Sequence, residues 1–268
     1  MLAQQLDLFS ADTTTAERLL ARNTDPPLVA PELDDDALIA AISESSLAHS
    51  HELAAEAGRR RLAAAVPALA ALCRRFAGFG ARHTVPEQAA AIESLVSIGS
   101  REAALAISAM IEQAVVQGPG LSKALSAAGR LGSPLSISAL RDLLQHADPS
   151  IRAAACRCAR SAPEIIRLLI DLLDDLDEAV ATSAASALGR MGRIEARPKL
   201  KSLLRHAPSE EAMDAISLVA DEECVVLLGR VARSMPILAD AALASLEDIE
   251  LARAATVAAG VRRLQLSG

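Results

Sequence analysis

The sequence predicts an all-α chain: an α-solenoid of antiparallel helix pairs over residues 34–268, preceded by a flexible N-terminal segment at 1–33. Three observations lead there. The chain is 51% hydrophobic but only 1% aromatic, with neither Trp nor Tyr. Its apolar content is therefore mostly Ala and Leu, which favour helix and let helices approach closely. Strict alternation is absent and β-branched residues are sparse, so nothing reads as a strand. Finally, the chain repeats itself. Residues 121–150 and 181–210, laid side by side without gaps, are identical at eleven of thirty positions. The matches include Gly129/Gly189, Arg130/Arg190, Gly132/Gly192, Leu140/Leu200, Leu143/Leu203, Leu144/Leu204 and His146/His206. An offset of sixty is two units of thirty, and stacked helical hairpins of that length bury together what one hairpin cannot bury alone.

The elements follow in chain order. Residues 5–9 read QLDLF, an apolar cluster that uses one of only three phenylalanines. Residues 10–33 contain SADTTT and NTDPPLVAPEL, a polar, proline-bearing texture that reads as a linker, with Thr13–Ala21 at most transiently helical. As a flexible chain this segment would span roughly 25–30 Å. Asp34 is an N-cap candidate for a helix carrying Leu38, Ile39 and Ile42. A less regular unit covers 52–76. First helices then end near Gly99, Gly132, Ala162, Gly192, Asp221 and Asp248, at steps of 33, 30, 30, 29 and 27 residues. Second helices follow at Pro134–Gln145, Pro163–Leu173 and Ile194–Arg205. Glycine ends a helix because it accepts positive φ, and proline opens one because a first-turn amide would be unpaired anyway. Apolar residues fall at helical spacing in both: Leu121, Leu125 and Leu131, then Ile151, Ala155 and Cys158, then Val180, Ala184 and Ala187 in first helices, and Ile165, Leu168, Leu169 and Leu172 in a second helix.

DPSIRAAACRCAR (148–160) and DEAVATSAASALGRMG (177–192) resemble the short HEAT-like repeats of the phycobilin-lyase type. In those an Asp and an Arg flank the start of the first helix and Leu-Gly ends it. Asp148 and Arg152 match; the second unit keeps Asp177 but has Ala181 in place of Arg. The resemblance spans roughly 50–265 and implies fold far more than function, since such arrays serve many roles.

Charge and chemistry narrow the function. The net charge of −7 is uneven: residues 1–50 hold two Arg and nine acids, residues 130–205 twelve basic and nine acidic groups, and residues 206–268 five and ten. An acidic total argues against general nucleic-acid coating, while the mildly basic middle is either a local binding surface or a solvated face. Cys73, Cys156, Cys158 and Cys224 read as small core residues, since Cys156 and Cys158 would point about 200° apart on a helix. His146 and His206 read as cations at helix C-termini. Arg59–Arg61 and the acidic run 171–178 read as exposed surface. One His-Glu pair, His51-Glu52, is too little for the iron site of HEAT-like hydroxylases; no phosphate loop, catalytic constellation, metal site or cofactor site is found, so no enzyme activity is expected. The first basic residue is Arg18 and the longest apolar run, Leu62–Cys73, is broken by Pro67, which points to the cytoplasm and away from a membrane.

QLDLF resembles the bacterial sliding-clamp-binding pentapeptide and matches it at all five positions. The resemblance implies that Gln5 meets polar groups at the rim of the clamp pocket, Leu6 fills a shallow sub-pocket, Asp7 faces outward, and Leu8 and Phe9 enter the deep one. The expected function is a non-enzymatic adaptor, holding the clamp with residues 5–9 and a second protein on the concave side of the array. Two alternatives stay open. QLDLF could cap its own solenoid, leaving a general interaction scaffold, and a lyase-like enzyme ranks third.

Overall fold

The computed structural model describes residues 30–44, 49–250 and 252–266. Among them lie fifteen α-helices and no strand. They are α1 (Asp35–Glu44), α2 (Ser50–Arg59), α3 (Val66–Arg75), α4 (Pro86–Ile98), α5 (Arg101–Glu112), α6 (Pro119–Leu131), α7 (Ile137–Leu144) and α8 (Pro149–Arg157). The series continues with α9 (Pro163–Asp171), α10 (Glu178–Arg190), α11 (Arg197–His206), α12 (Glu210–Ser217), α13 (Glu222–Ser234), α14 (Ala239–Asp248) and α15 (Ala252–Leu266). Each even helix packs on the next even helix, from α2 to α14, in one unbroken row. The odd helices form a second row in which α1–α3–α5, α7–α9 and α11–α13–α15 pack on one another. Between α5 and α7, and between α9 and α11, the second row is thin. The result is an α-solenoid of antiparallel helix pairs, as the sixty-residue match implied.

The core lies between the rows and is aliphatic. Leu125, Ile151, Ala155, Val180, Ala184 and Ala187 are buried on even helices, Leu140, Leu144, Ile165, Leu169, Leu200 and Leu204 on odd ones. Fully burying one such Leu or Ile is worth about 1.5–3 kcal/mol. Phe76 and Phe79 meet edge to face, with centroids 6.5 Å apart.

Helix ends obey local chemistry. Gly132 and Gly192, with φ of 61° and 69°, take the left-handed conformation at equivalent even-to-odd turns. Behind them the Ser133 amide reaches back to the Ala128 carbonyl and the Arg193 amide to Leu188, the closing bonds of a Schellman turn. Arg61 and Ala114 do the same work at φ of 53° and 52° without being glycine, and the Leu62 and Val115 amides close those turns. Proline stands at the first helical position of α4, α6, α8 and α9. Asp34, Ser100, Ser136, Asp148, Asp177, Ser209 and Asp221 accept amide hydrogens at helix starts.

Several expectations need correction. Ser136, not Pro134, opens α7, because only a side-chain oxygen can take up the Ala139 amide. Ala162 and Asp221 are starts of α9 and α13 rather than ends of the helices before them. The linker expected over 10–33 gives way to folded chain by Ala30, which is buried at the start of a 3-10 turn. The fixing group is Arg60. Its guanidinium donates to the carbonyls of Ala30 (3.2 Å), Pro31 (3.1 Å) and Leu33 (2.7 Å) and to the Asp35 carboxylate (3.0 Å). Buried Glu56 takes hydrogen bonds from both Arg59 and Arg60, and this pushes its carboxyl down to about 2. So Arg60 is a structural staple, not part of an exposed face.

The acidic run 171–178 is likewise only partly solvated. Asp175 receives both guanidinium nitrogens of Arg152 at 2.9 Å, which holds its carboxyl below the ordinary carboxylate range. Arg152 also donates to the His146 and Ala147 carbonyls at 2.8 and 3.0 Å. One side chain thus joins the end of one repeat to the start of the next. Arg160 reaches the Leu135 carbonyl (2.6 Å), Arg197 that of Val219 (2.6 Å), and the Gln88 amide those of Cys73, Phe76 and Val115. Carbonyls that helix ends leave unpaired are taken up by a neighbouring repeat.

Candidate interaction surface

The two rows present different surfaces to solvent, and the difference begins with where each repeat puts its charges. In the odd row, cations of one helix meet acids of the next. Arg141 approaches Glu164 at 3.7 Å, Lys201 bonds Asp221 and Glu223 at 2.6 and 2.7 Å, and Arg205 pairs with Glu223. The Lys201 ammonium holds the Glu223 carboxyl below its ordinary range. Those charges are compensated across the row.

The even row pairs Lys123 with Glu93 and Arg190 with Glu211, but leaves Arg130 and Arg157 without a carboxylate. Arg130 near the end of α6, Arg157 at the end of α8 and Arg190 at the end of α10 are exposed and line one open groove of ≈ 330 Å³, with Ser126, Gly129 and Glu211. The groove exists because small residues stand where neighbouring even helices cross. A Cβ on Gly129 would lie 3.2 Å from the Arg157 Cβ, so α8 passes close over α6. A Cβ on Gly189 would lie 2.4 Å from the Ala215 carbonyl oxygen, so α12 passes closer still over α10. Arg130 has no hydrogen-bond or ion-pair partner among the described residues. Arg157 donates to the Ser126 hydroxyl at 3.0 Å, and Arg190 meets the Glu211 carboxylate at 3.3 Å. Of three guanidinium groups from three consecutive even helices, only that of Arg190 has a carboxylate partner. Such a set offers planar, paired donors to an anion.

Arg130 and Arg190 are the pair that the sixty-residue match aligned. Arg157 was not legible in it. By spacing, Arg160 is the middle member, but α8 stops at Arg157, and Arg160 turns away to the Leu135 carbonyl.

The other singled-out residues are placed as follows. Gln5, Leu6, Asp7, Leu8 and Phe9, and the stretch Thr13–Ala21, lie outside the described residues. The four cysteines are buried and free; burial pushes Cys73 and Cys156 up to about 12 and Cys158 and Cys224 to about 11. The His146 ring Nδ1 accepts the Asp148 amide at 3.0 Å, so it serves the turn into α8 rather than the carbonyls of α7. His206 is the exposed last residue of α11. Among the described residues no three His, Cys, Asp or Glu come together to hold a metal ion, and no helix is long and apolar enough to cross a membrane.

Residues 137–220 match the family described as HEAT repeats. The matched stretch begins at α7 and runs past the end of α12, and so includes the crossing of α10 and α12 at Gly189. No curated protein matches the chain. Over that stretch, less than a third of the chain, the helix pairs are similar to HEAT repeats.

Proposed function

We propose that this HEAT-like array is a non-enzymatic adaptor, which docks on the bacterial sliding clamp through Gln5–Phe9 and holds a second protein on its repeats. The observation that carries the first half is the pentapeptide QLDLF itself, complete at five positions. Support for the second half is the groove of the even row, in which Arg130 and Arg157 have no carboxylate partner. The Arg60 staple adds a geometric point: Ala30 is held at a fixed place on the first repeat. A docked peptide would therefore hold the array by one end, with the groove some repeats away.

The test is a binding experiment. A peptide of residues 1–12 binds a bacterial sliding clamp, and changing Leu8 and Phe9 to Ala weakens it about a hundredfold or more. Each anchor buries on the order of 1.5–3 kcal/mol, at about 1.4 kcal/mol per tenfold. In the full chain the same double change leaves thermal stability unaltered. Equal binding by mutant and wild type removes the clamp from the reading. A lower melting temperature instead makes QLDLF a cap on its own solenoid and leaves a scaffold.

A further inference from the structure

We propose that the groove of Arg130, Arg157 and Arg190 is the docking site for a short acidic segment of a partner protein. The inference deepens the adaptor reading by giving its second partner a chemistry, and does not depend on the clamp.

Three observations choose this occupant. The first is charge. Three exposed guanidinium groups converge on one groove and only Arg190 has a carboxylate partner. In the opposite row Lys201 and Arg205 are neutralised by Asp221 and Glu223. Leaving Arg130 and Arg157 without a carboxylate beside Arg190 costs repulsion that an anionic occupant removes. The second is length. Neighbouring helices sit about 8–10 Å apart, so three of them span roughly 20 Å, the reach of about six extended residues at ~3.3 Å each.

The third is what bounds the groove. Glu211 closes one end on Arg190, and beyond Ser126 at the other side the Lys123 ammonium is already spent on Glu93 at 2.8 Å. The chain carries −7 over residues 1–50 and −5 over 206–268, against +3 over 130–205. Screening falls off over about 8 Å at physiological salt. A short segment therefore feels the charges of the groove, three guanidinium groups against the Glu211 carboxylate, whereas a long polyanion such as a nucleic acid would lie along the acidic ends as well. Carboxylates spaced along an extended strand meet the three guanidinium forks in turn, each through paired N–H···O bonds.

The experiment uses the full chain and a fluorescein-labelled hexaglutamate peptide, read by fluorescence anisotropy at low and physiological salt. Binding is expected to weaken with salt, and the triple change Arg130→Ala, Arg157→Ala, Arg190→Ala to weaken it about tenfold or more. Arg167→Ala, which removes an exposed arginine of the odd row, leaves it unchanged. Glu211→Gln raises affinity about two- to threefold, because the competing carboxylate is gone; a merely structural arginine cluster would not respond in that direction. No binding of hexaglutamate, or equal binding by the triple variant, overturns the proposal. So does tighter binding of a 12-nucleotide strand or a 20-base-pair duplex that is lost in the triple variant, which would make the occupant a phosphodiester backbone. Because the clamp is absent from every arm, failure here leaves the pentapeptide reading standing.

Discussion

Gly189→Ala tests the packing argument most directly, because the same change at Gly129 supplies its control. At Gly189 a methyl group would meet the Ala215 carbonyl oxygen at 2.4 Å, the Ala215 carbonyl carbon at 3.0 Å and the Leu200 Cδ1 at 2.9 Å. Ordinary contacts lie near 3.5–4.0 Å, so α12 must move by about 1 Å. The group in the way is backbone and cannot rotate aside. Overpacking of this kind costs about 1–3 kcal/mol, occasionally more, and the tightness here places it at the upper end. Ala is better than Gly inside a helix by about 1 kcal/mol, which leaves a net loss of about 2 kcal/mol. At Gly129 the nearest atoms are the Arg157 Cβ at 3.2 Å and its carbonyl oxygen at 3.4 Å. A few tenths of an ångström of give at the end of α8 suffices, and the propensity gain cancels the cost to within about 0.5 kcal/mol. Equilibrium unfolding in guanidinium chloride, with circular dichroism as readout, measures both. In an array the damage should also uncouple repeats on the two sides of the α10–α12 crossing, broadening the transition of Gly189→Ala alone. Equal stability of the two variants, or a Gly189→Ala loss below about 0.5 kcal/mol, would refute the close-approach account.

Two further outcomes follow from buried titratable groups. The Glu56 carboxyl is held at about 2 in the fold against an ordinary 4.5, so its contribution to stability is complete above about 4.5 and is lost as pH falls toward 2. Acid titration of stability should be shallower in that window for Glu56→Gln, and Glu56→Gln should be the less stable protein at pH 7; an identical acid limb would remove Arg59 and Arg60 from the account. Cys73, Cys156, Cys158 and Cys224 are buried with thiols raised to between about 11 and 12. An aromatic disulfide reagent at pH 8 should therefore leave all four unlabelled in the native protein and label all four in denaturant, whereas fast native labelling of any one would contradict its burial.

Where the sequence was legible, the residue itself carried the geometry. Gly132 and Gly192 could be placed because a left-handed turn selects glycine. Leu140, Leu144, Leu200 and Leu204 could be placed because helical spacing sorts buried from exposed. Arg61 and Ala114 hold the same left-handed turns with no such signature, since the turn is imposed by the hairpins on either side. Asp221 and Ala162 were misassigned because a residue between two short helices reads equally well as the end of one or the start of the next. Arg60 and Arg152 illustrate a different limit. Their partners include groups more than twenty residues away, the Leu33 carbonyl for Arg60 and the Asp175 carboxylate for Arg152, and composition cannot tell a staple from a solvated charge. The groove was half legible: the self-match aligned Arg130 with Arg190, but the early stop of α8 that brings Arg157 between them is a tertiary fact.

The unequal rows also set how the molecule can bend. Along the even helices every neighbour packs on the next, with Gly58, Gly129 and Gly189 each at a close crossing, and packed backbone hardly compresses. Along the odd helices the packing thins at α5/α7 and again at α9/α11, and what spans the row elsewhere includes long charged side chains that stretch at little cost. The array is thus an articulated beam: a stiff rail on one side, three blocks hung from it on the other, and two joints. Flexing at those joints opens or closes gaps in the odd row while the rail keeps its spacing. Because Arg130, Arg157 and Arg190 ride on the rail, their separations should persist while the outline of the molecule changes. A partner gripped there would travel as one body with α6, α8 and α10, and the rest of the array could swing around it.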